Sequence, residues 1–241
     1  MIRVAALISG GGTTFMAIYN AIQAGELTGV EIACLISSKH EAGGILKARE
    51  AGFPSQRIFV LRRQDFASSL SFGEAILAAC EATEANFLGQ YGWMPWTPGN
   101  VVEHFKGRST NQHPGPIWRM GYDFGGQDMF GKRVHAARLY FVRLVRRECM
   151  WTEAISQYLA PDYDEGAVIR REVVPIEKGD DVESLQARVL PAEHRVQIQT
   201  LRDFAQGTVS FVQREEPVVY PDEVGILNEA KRIAKILYPK G

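Results

Sequence analysis

A chain of 241 residues fits one large domain, or one domain with an extension, and can bury a sizeable core. Its formal charge of −1, with 46% hydrophobic and 23% charged residues, excludes a general electrostatic attraction to nucleic acid or to an anionic membrane. Any anionic ligand must therefore be held by local groups. Cys34, Cys80 and Cys149 show no metal-ligand spacing. With no apolar leader or long apolar span in view, the expected compartment is the reducing cytoplasm.

Arg3 to Ser9 is a continuous apolar run, expected for a strand covered on both faces. It leads into Gly10-Gly11-Gly12-Thr13-Thr14, after which Phe15, Ile18, Tyr19 and Ile22 recur at helical spacing. Thr13 or Thr14 is the expected helix cap. Strand, glycine turn and helix N-terminus make an anion site, because glycines let the backbone approach and the free N–H groups attract phosphate. The bland alternative is a tight turn without a ligand. A Walker loop would end in Gly-Lys-Ser/Thr, and no Lys is present here. A dinucleotide fingerprint would place a glycine where Phe15 stands, and an acidic residue where Ser37-Ser38-Lys39-His40 follows the second strand.

Residues 30–37 read as a strand, 42–51 as a helix, 57–61 as a short strand, 70–82 as a helix and 86–91 as a strand. This alternation predicts an α/β fold: a mostly parallel twisted sheet with helices on both faces. Ligands bind at the carboxyl ends of such strands. Three stretches fall there: the glycine turn, the aromatic loop at 92–97, and Ser109-Thr110-Asn111-Gln112-His113-Pro114. On an extended strand Asn111 and His113 point to one side and Gln112 to the other, and Pro114 ends the ladder. An amide can donate to a developing oxyanion, and an imidazole can move a proton near neutral pH. Taken alone, the segment reads more simply as a polar strand end with a surface histidine.

Further on, 121–131 is glycine-rich and expected to be a mobile loop, and 133–147 reads as an arginine-rich helix. Residues 154–159 and 167–174 read as two antiparallel strands joined by an acidic turn. That turn is the place to seek a carboxylate partner for His113. Asp180 or Asp181 is expected to cap a helix running to Val196, which Pro191 should kink or divide. Residues 208–212 read as a last strand. Residues 222–238 form an amphipathic helix, expected to pack on the domain or on a second copy of the chain, so a homo-oligomer is one expectation.

Four segments now stand in order: Ser9–Thr14, Asn111-Gln112-His113-Pro114, Tyr163-Asp164-Glu165-Gly166-Ala167-Val168-Ile169, and Glu193-His194. With them the chain resembles the folate-dependent formyltransferases, most of all the branch acting on glycinamide ribonucleotide. The resemblance spans roughly residues 1–213, leaving 214–241 as a C-terminal extension. It implies a Rossmann-like formyltransferase fold. It also implies formyl transfer from 10-formyltetrahydrofolate, as co-substrate, to the primary amine of a phosphorylated small molecule in purine biosynthesis, without a metal. Asn111 and His113 would stabilise charge on the formyl oxygen, with Asp164 as partner of the imidazolium. Met94, Pro95, Trp96, Thr97, Asn111 and Asp162 would hold the folate. Gly11, Gly12, Thr13 and Thr14 would hold the acceptor phosphate, and Glu193 a ribose hydroxyl.

The departures from the family fall mainly on acceptor recognition. Gly115-Pro116-Ile117-Trp118 follows His-Pro where Ser-Leu-Leu-Pro is usual, and Trp93-Met94-Pro95-Trp96 replaces Phe-Met-Arg-Ile. Gln157 stands where a histidine is expected, Leu190 where a glutamine is expected, and the segment from His113 to Asp164 is longer than usual. One alternative is a formyltransferase for another amine, or a formyltetrahydrofolate hydrolase. The hydrolase would be expected to carry a regulatory domain before the first strand. A second alternative is a non-catalytic nucleotide-binding module, against which the intact Asn111, His113 and Asp164 argue.

Overall fold

The structure is a computed structural model and describes residues 1–118 and 120–241. Strands and helices alternate along it as β1 (Ile2–Ile8), α1 (Thr13–Gln23), β2 (Val30–Ser37), α2 (Gly43–Glu50), β3 (Ile58–Val60), α3 (Ser69–Ala82), β4 (Phe87–Gln90) and α4 (Gly99–His104). There follow β5 (Ser109–His113), α5 (Lys132–Leu144), β6 (Trp151–Tyr158), β7 (Val168–Pro175), α6 (Val182–Gln206) and α7 (Val224–Leu237). The strand order is β3-β2-β1-β4-β5-β6-β7. The pairs among β1 to β5 are parallel, and β6 pairs with β7 antiparallel. The expected mostly parallel α/β sheet with a late antiparallel pair is therefore present. Among the described residues no helix is long and apolar enough to cross a membrane.

Two compact units share the chain: residues 1–111 with 197–209, and residues 112–196 with 210–241. In the first, β1 is buried from Val4 to Ile8, which is why its sequence is apolar without alternation. Phe15 and Ile18 of α1, Leu35 of β2, Ala48 of α2 and Leu201 of α6 complete that core. In the second, Val134, Ala137 and Phe141 of α5 pack with Leu185, Val189 and Val196 of α6 and with Leu227, Ala230 and Ala234 of α7.

Three expectations need correction, and one element was not foreseen. The N-cap of α1 is Gly12 in the left-handed region, with no side-chain cap from Thr13 or Thr14. α6 is one helix of 25 residues that runs on to Gln206 and is not divided at Pro191. One missing internal N–H is tolerated because Val189 and Ala192, on either side, are anchored in the core. Residues 208–212 form no strand: Gly207 (φ 69°) ends α6, and Val212 N–H donates to the Val168 carbonyl at 2.9 Å without a ladder developing among the described residues. The helix α4 was missed because six residues are too few to show a period. Asp181 does cap α6, accepting from Ser184 N–H at 2.8 Å.

Candidate active site

The glycine turn lies in the first unit. Gly12 takes φ 62°, and a Cβ there would lie 2.6 Å from the Cα of Gly44, so both conformation and space demand glycine. Gly44 at the start of α2 donates its N–H to the Gly10 carbonyl at 3.1 Å. Lys47, one turn further on, donates its ammonium to the Gly11 carbonyl at 2.9 Å. α2 thus brings a cation to the turn. The sequence reading missed Lys47, whose only signal is its place one turn after Gly43-Gly44. The first bond of α1 runs from Met16 N–H to the Gly12 carbonyl at 2.9 Å. The N–H groups of Thr13, Thr14 and Phe15 precede that ladder and face the helix N-terminal end. Gly11 is exposed and Thr13 half-buried, whereas Gly12 and Thr14 are buried beneath them.

The loop at 92–97 belongs to the same unit. Met94 N–H donates to Ser9 Oγ at 2.8 Å, which ties the loop to the end of β1. Gln90 Nε2 donates to Thr97 Oγ1. Trp93 is buried against Phe72, while Met94 and Trp96 are exposed at 43% and 40%. Adjacent exposed apolar side chains on an anchored loop suit a flat heterocycle. Asn111, at the end of the first unit, is half-buried on β5.

The second unit holds His113 and Asp164. His113 is 3% exposed, and its Nδ1 lies 3.6 Å from Asp164 Oδ1. That is an ion-pair separation rather than a hydrogen bond. Asp164 sits in the left-handed region at φ 58°, a conformation that costs energy for a residue with a Cβ and gathers at functional sites. Gln157 Nε2 donates to Asp164 Oδ1 at 2.7 Å, and Gly126 N–H donates to Oδ2 at 3.0 Å. Gln157, noted in the sequence as a departure, is thus a neutral donor that holds the carboxylate. A Cβ on Gly125 would lie 2.8 Å from the Asp164 Cβ and 2.4 Å from Ile117 Cδ1, so the glycine-rich loop is packed flush on Asp164. His113 Nε2 is buried and has no hydrogen-bond partner among the described residues.

Two neighbours of this pair, Asp123 and His135, were not foreseen. Asp123 accepts from Trp118 N–H at 2.7 Å and Gly125 N–H at 2.8 Å, while burial pushes its carboxyl above the usual range. His135 of α5 is 1% exposed, and burial, with the nearby His113, pushes its pKa down to about 4. It is neutral near pH 7. Gln112 turns away from His113, as strand alternation requires, and donates its Nε2 to Glu193 Oε1 at 3.0 Å. Glu193 is 6% exposed, and burial pushes its carboxyl up to about 8 against that hydrogen bond. Asp162 is exposed in the turn before Asp164.

The structure therefore brings His113 to Asp164 and Gln112 to Glu193, and it joins the 92–97 loop to the end of β1. A family model described as formyl transferase matches residues 2–119. Phosphoribosylglycinamide formyltransferase, chloroplastic, of Vigna unguiculata is 25% identical over 221 residues, 92% of this chain and 66% of that protein. The trifunctional purine biosynthetic protein adenosine-3 of Gallus gallus is 30% identical over 208 residues, 86% of this chain. The chain spans only 19% of that longer relative. The solved phosphoribosylglycinamide formyltransferase of Brucella melitensis is 32% identical with a TM-score of 0.71, over 88% of this chain and 99% of that one. By the family model over residues 2–119 and the 32% identity across nearly the whole of the Brucella melitensis enzyme, the chain belongs to the formyl transferase family.

Proposed function

We propose that the protein transfers a formyl group from 10-formyltetrahydrofolate to the primary amine of glycinamide ribonucleotide. The observation that carries this reading is the buried His113–Asp164 pair, with Asp164 held by Gln157 and Gly126. The donor supplies an activated formyl carbon. The amine attacks that carbon, and negative charge grows on the formyl oxygen. His113 Nε2 donates to that oxygen as an imidazolium, and the Asp164 carboxylate on the Nδ1 side stabilises the cation. Asn111, two residues earlier on the same strand, adds its amide N–H₂ to the same charge. A proton leaves the ammonium formed by attack and reaches the departing folate nitrogen, which His113 is placed to mediate.

The exposed side chains of Met94 and Trp96, with Pro95, Thr97 and Asp162, fit the donor's ring system. Gly11 and Thr13, with the Lys47 ammonium, fit the acceptor phosphate. The reading includes a cytoplasmic setting, where the free, buried Cys34, Cys80 and Cys149 stay reduced. One observation favours a second acceptor. Gln112 already engages Glu193, the carboxyl assigned to the ribose, and Leu190 one turn earlier can neither donate nor accept.

The test is a formyl-transfer assay with 10-formyltetrahydrofolate and a panel of amines, read by absorbance as the folate loses its formyl group. Turnover with glycinamide ribonucleotide is expected. Turnover only with another amine moves the acceptor assignment, and deformylation without any amine makes the protein a hydrolase.

A further inference from the structure

The residues after 213 contain none of the motifs that led to the site, yet within the second unit they reach it. Leu227, Ala230 and Ala234 of α7 lie at helical spacing and enter the core beside Val134, Ala137 and Phe141 of α5. Lys231, one turn after Leu227, is carried inward with them and is only partly exposed. Its ammonium donates to the Gly125 carbonyl at 2.8 Å. Lys235, one turn later, donates to the Gln127 carbonyl at 3.0 Å. In the reverse direction Arg133 donates to the carbonyls of Tyr238 at 2.8 Å and Pro239 at 2.7 Å, just past the end of α7. Between the two lysine-held carbonyls lies Gly126, whose N–H holds Asp164 Oδ2.

We infer that Lys231 is a positioning residue for the Asp164–His113 pair: its ammonium fixes the Gly125–Gly126 backbone that holds Asp164, and it sets a positive charge beside Asp123 and Asp164. This rests on the reading of that pair as the catalytic one. Asp123 faces Lys231 from the loop and Asp164 from the turn after β6, while Lys235 acts on it from its own helix. His113 faces Asp123 in turn. Burial pushes the Lys231 ammonium below its ordinary range, and the two carboxylates oppose that shift. Without the cation, two largely buried carboxylates share a pocket with one imidazole, and burial favours the neutral form of a carboxyl.

The test compares the whole chain carrying Lys231→Met, Lys231→Gln, Lys231→Arg or, as a control at an exposed position on the same helix, Arg232→Met. The readouts are kcat and KM across pH, and amide hydrogen exchange at Gly126. Lys231→Met should lower kcat by about tenfold to a hundredfold, the scale of a small misplacement of a reacting group, with acceptor KM changed less than about twofold. The acid limb of kcat should move to higher pH, because the cation that favours the carboxylates is gone. Exchange at Gly126 should quicken by about tenfold or more. Lys231→Gln keeps a donor for Gly125 and loses the charge, so Gly126 should stay protected while the acid limb still moves; it also serves if the Met variant fails to fold. Lys231→Arg should recover most of kcat, and Arg232→Met should match the wild type. Wild-type kcat and Gly126 protection in Lys231→Met, or no recovery with Lys231→Arg, would overturn the inference. Undiminished turnover in His113→Asn would instead overturn the reading of the pair, and the Gly126 exchange would still decide whether Lys231 holds the loop.

Discussion

The glycine turn after β1 and the Gly125–Gly126 turn before α5 each offer a backbone carbonyl to a lysine ammonium, and they are built in opposite ways. The first is local: strand, glycines and helix follow one another within residues 2–23. The second is assembled from a distance. Gly126 N–H meets a carboxylate 38 residues away, and the Gly125 carbonyl meets an ammonium 106 residues away. A local turn announces itself in its own residues, because the same few positions fix the backbone and present the donors. An assembled turn shows only glycine richness, which any open loop also shows. The first turn is cradled by α2, with Gly44 beneath it, whereas the second is clamped from a helix beyond the region matched by the family model.

The largest effect expected at either turn is at Asp164. Asp164→Asn keeps the shape and removes the charge. It also places an N–H₂ against one of the two donors, Gln157 Nε2 or Gly126 N–H. A fall in kcat of about 10²–10⁴ is expected, the usual range for disabling acid–base catalysis, with donor and acceptor KM little changed. Steady-state kinetics beside a melting curve checks it. A kcat within about tenfold of wild type would make the assembled turn a structural feature only.

How much was legible follows from this contrast. The run from Arg3 to Ser9, the glycine turn, and the strand end at Asn111–His113 each declared itself by composition and period. The pairing of β6 with β7 followed from two short strands around one turn. The Asp164 turn became specific only through resemblance, because nothing local to residues 160–166 says that a histidine lies beside it. Lys231, Asp123 and His135 carried no signal at all: each is an ordinary helix or loop residue until α5, α7 and the loop are packed together. Pro191 does not divide α6, because the packed core on both sides outweighs its local cost.

At the local turn, a smaller effect is expected. Gly12→Ala puts a Cβ into left-handed backbone and 2.6 Å from the Gly44 Cα, so the turn must shift. Acceptor KM should rise by about tenfold or more, as loss of a charge-assisted contact does, with donor KM unchanged. Lys47→Met, which leaves the backbone intact, should raise acceptor KM by only about threefold to tenfold, and less at high salt, because Lys47 is exposed. Equal rises in donor and acceptor KM would remove the phosphate assignment.

An assay change as small as that at Lys47 is expected at Glu193, whose clearer reading is in stability. Burial pushes the Glu193 carboxyl up to about 8 in the folded chain, above the ordinary value of 4.5, against the opposing hydrogen bond from Gln112. A folded pKa raised above the unfolded one means stability that is full below pH 4.5 and is lost as pH rises through 8. Glu193→Gln cannot ionise and should not suffer that loss. Its new amide keeps an oxygen for Gln112 Nε2, and its N–H₂ faces Gln112 Oε1, which is buried with no partner among the described residues. The variant should match the wild type in stability near pH 5 and exceed it by on the order of 2–4 kcal/mol near pH 9, measured by denaturant unfolding at both pH values. Acceptor KM should rise about threefold to tenfold if Glu193 meets a ribose hydroxyl. A stability gain with an unchanged acceptor KM would make the Gln112–Glu193 pair part of the core rather than of the acceptor pocket, and would turn the search for the sugar contact to residues 115–118 and 120–131.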